Sequence, residues 1–157
     1  MLDRLGAGQE VSPLKLTDHF TLAEMTASQE AARSGLKNVP SAAQVESLRL
    51  LCENVLEPLR VRLKRPVVVN SGFRSPTVNR RIGGAANSQH CKGQAADIIV
   101  PGMSVAEVVA RIRKMGLPYD QLLDEYGQWV HVSYGPRHRR QTLIARHEGG
   151  KTVWRQA

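Results

Sequence analysis

At 157 residues, with 41% hydrophobic and 23% charged side chains, the chain has the size and make-up of one globular domain able to bury its own core. An aromatic share of 4% argues against a stacking platform for single-stranded nucleic acid, and no apolar run approaches the ~20 residues of a membrane span. The net charge of +8 points to an anionic partner, and much of it gathers in "GPRHRRQTLIARHEGGKTVWRQ" near the end of the chain, where a solvated basic surface is the competing reading.

The N-terminal stretch "MLDRLGAGQEVSPLKL" lacks the apolar core of a secretory signal. Residues 1 to 18 read as a lead-in segment ahead of a single domain over 19 to 157. Thr21 and Glu24 have capping-box spacing and predict a helix running to about Arg33, stopped by Gly35. Ser41 and Gln44 repeat the device. Val45, Leu48, Cys52, Val55 and Leu59 then recur at helical spacing, which predicts a long amphipathic helix that Pro58 kinks or ends. Cys52 falls on its buried face as inert packing. The two cysteines, Cys52 and Cys91, lack CxxC spacing and read as unpaired thiols.

"PVVVNSGFRSP" predicts a β-branched strand over Val67 to Val69, followed by a helix from Pro76 to about residue 82, capped by Ser75. "GGAANSQHCKG" is loop by composition, and "AADIIV" is a strand closed by Pro101-Gly102. A third capping box, Ser104 to Glu107, opens a helix ending near Gly116. "DQLLDEYGQWVHVSY" and "TLIARHEGGKTVW" read as hairpins turning at Tyr126-Gly127 and Gly149-Gly150. Helices followed by hairpins predict an α+β domain on a largely antiparallel sheet with flanking helices.

One charge stands out: Asp97 begins an apolar strand, where an acid is rarely buried without a counter-charge or a metal. His90 precedes it in the loop, and His131 lies inside a later strand, sharing a face with Trp129 and Ser133 at period two. Two imidazoles and a carboxylate, with a fourth position left for water, form a known ligand set for catalytic zinc. Taken alone, a histidine and an aspartate seven residues apart fit a hydrogen-bonded polar network better than a metal site.

The wider pattern shifts that balance. "SGFRSPTVNRRIGGAANSQHCKGQAADI" followed by "EYGQWVHVSY" resembles the M15 zinc peptidases, the D-Ala-D-Ala carboxypeptidase-like enzymes of bacteria and their phages. Ser88, His90, Gly93, Ala95 and Asp97 stand at the positions of that family's first metal motif, and Trp129-Val130-His131 resembles its second; the segment "FTLAEMTASQEAARSGLKNVP" resembles the lead-in of small members. The resemblance covers about residues 19 to 135. It implies a fold shared with the hedgehog signalling domain, one zinc ion held by His90, Asp97 and His131, and cleavage of amide bonds in peptidoglycan stem peptides. It also implies that Arg74 faces the substrate, gripping a carboxylate or an oxyanion, and that Ser88 supports the site by hydrogen bonding.

A general base must accompany the metal, and two acids are available, Asp124 and Glu125. A three-residue hairpin loop, Tyr126 to Gln128, pairs position 125 with Trp129 and puts Glu125 on the face of His131; a two-residue loop puts Asp124 there instead. In the family the base is a glutamate three or six residues before the second histidine. Position 128 is a glutamine, so the longer spacing and Glu125 are favoured. The expected protein is a monomeric zinc peptidase acting on cell-wall peptides, as a phage lysis enzyme released through a membrane lesion, a virion component or a wall-remodelling enzyme. The alternatives are a non-catalytic zinc module that binds wall or protein, and a basic nucleic-acid binder, which leaves the metal constellation without a purpose.

Overall fold

The computed structural model describes residues 14–157, so most of the lead-in expected over residues 1 to 18 lies outside the described residues. The described part of that segment carries β1 (Lys15–Thr17), which pairs antiparallel with β2 (Phe20–Thr21). Thr21 then caps α1 (Leu22–Thr26) through the anticipated capping box. The predicted continuous helix to Arg33 is in fact two. Ala27 is extended, and the Ser28 side chain accepts from the Ala31 amide to start α2 (Gln29–Ser34), so a second serine cap competes successfully with continuation.

Ser41 caps α3 (Ala42–Leu51), which runs through a π-helical turn (Cys52–Leu56) into α4 (Glu57–Leu63). Pro58 neither ends nor breaks this rod. It has no N–H to offer, and the preceding turn widens so that Glu57 N–H bonds the Cys52 carbonyl. One face of the rod is buried through Leu48, Leu51, Cys52, Val55, Leu56 and Leu59. Burial also pushes the Cys52 thiol up to about 12, with the charges of Glu24 and Glu57 adding to the rise, and both cysteines are free.

β3 (Val68–Ser71) leads to α5 (Pro76–Arg81), capped by Ser75 as predicted. The glycine-rich loop contains a single 3-10 turn (Gln89–Lys92) before β4 (Ala95–Ile99). After α6 (Val105–Met115) come the hairpin β5 (Gln121–Glu125) and β6 (Trp129–Ser133), then the hairpin β7 (Gln141–Glu148) and β8 (Lys151–Gln156).

The main sheet has six strands in the order β3-β4-β6-β5-β7-β8. Every neighbouring pair is antiparallel except β5 and β7, which run parallel. Alternation divides its central strands. Ala96, Ile98, Leu122, Val130 and Val132 join the helical residues in one core, which also takes in Val108 and Ile112 of α6. The intervening residues face the other way, and among them are Asp97, Glu125 and His131. The fold is the expected α+β domain, with a mostly antiparallel sheet and flanking helices. Among the described residues no helix is long and apolar enough to cross a membrane.

Candidate active site

Asp97 and His131 are direct cross-strand partners in the β4–β6 ladder, so the sheet itself sets their separation. His131 Nδ1 lies 3.1 Å from Asp97 Oδ1. His90 arrives from the 3-10 turn, whose first amides are satisfied by Ser88: the Ser88 hydroxyl accepts from the His90 N–H at 3.2 Å. His90 Nδ1 stands 2.7 Å from the Gly72 carbonyl. A carbonyl only accepts, so the ring proton is on Nδ1 and Nε2 is left bare, 3.3 Å from Asp97 Oδ1. Gly72 permits this arrangement because a Cβ there would collide with the Met25 carbonyl.

The three ligand atoms all lie within 4.8 Å of one another. His90, Asp97 and His131 are 3%, 7% and 9% exposed, so a carboxylate charge and two ring nitrogens are gathered away from water. Burial raises the pKa of Asp97, but hydrogen bonds and charge from His131 and His90 outweigh it, and the net shift is downward. Burial lowers that of His90 against the pull of Asp97. Nitrogen and oxygen donors converging in this way, with one imidazole already oriented by a carbonyl behind it, fit a zinc ion.

Glu125 pairs with Trp129, and Tyr126 to Gln128 form the loop between them, with φ of 61° at Tyr126 and 65° at Gly127. This is the three-residue loop that places Glu125 on the His131 face; Glu125 Oε1 is 3.7 Å from His131 Nδ1. Burial, reinforced by the Asp97 charge, holds the Glu125 pKa above the ordinary glutamate range, although His131, Trp129 and Arg74 oppose it. The Trp129 indole N–H is buried beside this carboxylate, too loosely placed for a well-formed hydrogen bond but close enough to favour its charged form. Asp124 faces the opposite side, where its carboxylate takes Arg146 Nη1 at 2.9 Å and Nη2 at 3.1 Å and caps the loop through the Gly127 N–H.

Arg74 reaches the site from the side of β3. Its Nε donates to Ser71 at 2.9 Å, Nη1 to Asn79 at 3.3 Å and Nη2 to Asp97 Oδ2 at 3.1 Å. The guanidinium therefore braces the free oxygen of the candidate ligand. Asn79, which the sequence reading passed over, is buried and also bonds the Ala85 carbonyl, tying α5 to the loop. Another unanticipated group is Asp120, fully buried and clasped by Arg139 and Gln89. Neither carries a local signature; each was one polar residue in a helix or turn.

Cys91 stands next to His90 but is not among the converging donors. His19 is not a bare surface residue, since its ring nitrogen bonds Glu57 at 2.6 Å. His147 stacks on Tyr126 with ring centres 4.1 Å apart, and His138 packs edge-on to Tyr134. None of these three histidines joins the site.

A family model described as Peptidase M15 matches residues 18–133, a span that contains Arg74, Ser88, His90, Asp97, Glu125, Trp129 and His131. The chain is also similar to the zinc D-Ala-D-Ala carboxypeptidase of Streptomyces albus G, with 42% identity over 59 residues. That stretch covers 37% of this chain and 23% of the relative, so less than two thirds of the relative's length is spanned.

Proposed function

The chain belongs to the peptidase M15 family, and from that premise we propose that it hydrolyses amide bonds in peptidoglycan stem peptides. One zinc ion would be held by His90 Nε2, Asp97 and His131 Nδ1. The observation that carries the reading is the convergence of those three donors within 4.8 Å, with the Glu125 carboxylate 3.7 Å from one of them. When bound, the zinc supplies Lewis acidity, which makes water acidic near neutral pH and polarises a carbonyl.

The side chains do the rest. Glu125, on the same face as His131, takes the proton of the attacking water and returns it to the leaving amine. Arg74 fixes Asp97 and sets a positive charge at the edge of the site, where an oxyanion or a substrate carboxylate would be drawn. Trp129, paired with Glu125 across the hairpin, favours the charged form of that carboxylate, and Ser88 keeps the His90 turn in shape. We read the protein as a monomer that acts on the wall, as a lysis or remodelling enzyme; its positive charge supports a role against an anionic polymer.

The test joins metal content to products. Purified protein should hold about one zinc per chain, His131→Ala should lose most of it, and mass spectrometry of defined stem peptides should reveal one cleaved amide bond. A removed terminal D-Ala identifies a carboxypeptidase, and an internal cut an endopeptidase. Zinc retained in all three single alanine variants of His90, Asp97 and His131 would refute the ligand set. Full zinc content with no cleavage of any stem peptide would refute the enzyme and leave a binding module.

A further inference from the structure

The segment after residue 133 lies beyond the family match, yet it builds one wall of the cleft. That cleft holds about 400 Å³, and Glu125 and His131 line it together with Lys92, Arg137, Arg139 and Trp154. Glu125 is the one acid among the described residues that line it. Arg139 has its counter-charge in Asp120, at 2.8 Å. Lys92 and Arg137 are exposed and make no ion pair among the described residues.

The wall is built, not draped. Arg139 binds the buried Asp120 through its backbone N–H and two guanidinium nitrogens, and Gln89 donates to the same carboxylate at 2.9 Å. The loop is thereby locked to the turn that carries His90. Gly135 lets it close, since a Cβ there would press on Gln89 and Gln94 side-chain atoms at 3.0 Å. His138 and Arg140, with φ of 43° and 51°, hold left-handed conformations on either side of Arg139. Trp154 is placed by register: Glu125 pairs with Ala145, and Ala145 with Trp154. The indole thus stands two strands from the acid, roughly 10 Å away, and is 46% exposed.

We propose that Lys92 and Arg137, backed by Trp154, form a subsite for a free carboxylate that the peptide substrate carries away from the bond that is cut. Two unpaired cations and an exposed aromatic, lining the cleft of the candidate base on a loop and a turn tied together through Asp120, are complementary to an acidic side group on a short apolar stem. The proposal rests on the peptidase reading of the same cleft and adds what the substrate must bear.

The probes are stem tetrapeptides with the isoglutamate and diaminopimelate carboxyls free, or amidated singly or together. Zinc-loaded protein should bind and cut the free-acid peptide with a Kd and KM about tenfold lower than the doubly amidated one. In Lys92→Gln/Arg137→Gln that ratio should fall to about one. Arg140→Gln, in the same loop but off the cleft, should keep it. A parental ratio near one, or an Arg140→Gln effect equal to that of the pair, overturns the subsite. Binding separates the two claims. Selective binding without cleavage defeats the peptidase reading and leaves the subsite; cleavage without selectivity defeats the subsite and leaves the peptidase; no binding of any probe defeats both.

Discussion

The two faces of strands β4, β5 and β6 are written in alternate residues of the same segments, and they obey different rules. On the helix face, Ala96, Ile98, Leu122, Val130 and Val132 are buried in the main core. The acid on that side, Asp124, is neutralised by Arg146 and a backbone N–H, and its pKa is lowered because those partners outweigh burial. On the cleft face, Asp97, His131 and Glu125 crowd together. There burial and like charge raise the pKa of Glu125 instead. Adjacent acids in one strand thus have opposite shifts, and the difference is supplied by what each side of the sheet packs against. On the helix face a guanidinium meets the one acid; on the cleft face Arg74 and the two histidines meet Asp97, and Glu125 beside them is the acid whose pKa is raised.

The sharpest way to break this division is Glu125→Gln, which preserves size but cannot accept a proton. Turnover on stem peptides should fall by roughly 10²–10⁴, with zinc content and unfolding temperature near those of the parent. A matching loss of stability would show that the cleft face is structural after all.

Asp120 extends the comparison to the outer wall. Hydrogen bonds from Arg139 hold its pKa down to about 2, well below the reference 3.8, despite its burial. A depressed carboxylate stabilises the fold fully above the unfolded pKa and loses that contribution as pH falls towards the folded one. Asp120 should therefore contribute about 2 kcal/mol at pH 5 that disappears between roughly pH 4 and pH 2. Denaturant unfolding of Asp120→Asn should show a deficit that narrows over that window; a deficit constant with pH would remove the linkage.

Asp124→Asn is the mirror of the Glu125 variant. Its partner Arg146 is half-exposed, so solvent already weakens the pair, and the expected cost is about 1–2 kcal/mol of stability. Turnover per folded molecule should remain near that of the parent. If Asp124→Asn abolishes turnover while Glu125→Gln spares it, the roles of the two faces are reversed.

The residues that the sequence exposed most clearly are those with a local rule behind them. Ser41, Ser75 and Ser104 mark helix starts by caps that involve three or four neighbouring residues, and the structure keeps all three. The Glu125 side could be read because alternation and loop length leave only two registers. What was hidden depends on distant partners. The break at Ala27–Ser28 follows from one cap beating another, and the Phe73 N–H fastens to the Met25 carbonyl just before it. The π-helical turn answers a missing proline N–H within a helix that continues on both sides of it with one face in the core. The parallel β5–β7 pairing, and with it the position of Trp154, required knowing that the last hairpin returns beside β5 and not beside β6. Asp120 and Arg139 are 19 residues apart and signal nothing by spacing.

The smallest expected effect concerns how the His90 turn is held. His90 is the one candidate ligand not borne by the sheet, so its position depends on local bonds: the Ser88 hydroxyl to its N–H, its own Nδ1–H to the Gly72 carbonyl, and its carbonyl to the Arg74 N–H at 3.1 Å. Ser88→Ala removes the first and leaves the others. The loss should cost about 0.5–1 kcal/mol, the lower part of the range for a serine cap, because the turn is short and its remaining bonds persist. Zinc affinity should weaken by about tenfold, as for a group that orients a metal ligand from behind. Competition with a chelator measures that change, and Ser88→Thr, which restores the hydroxyl, should recover most of it. Affinity unchanged in Ser88→Ala would mean that the Gly72 carbonyl alone fixes the ring. Affinity lost in both variants would trace the effect to packing around the turn and not to the hydroxyl.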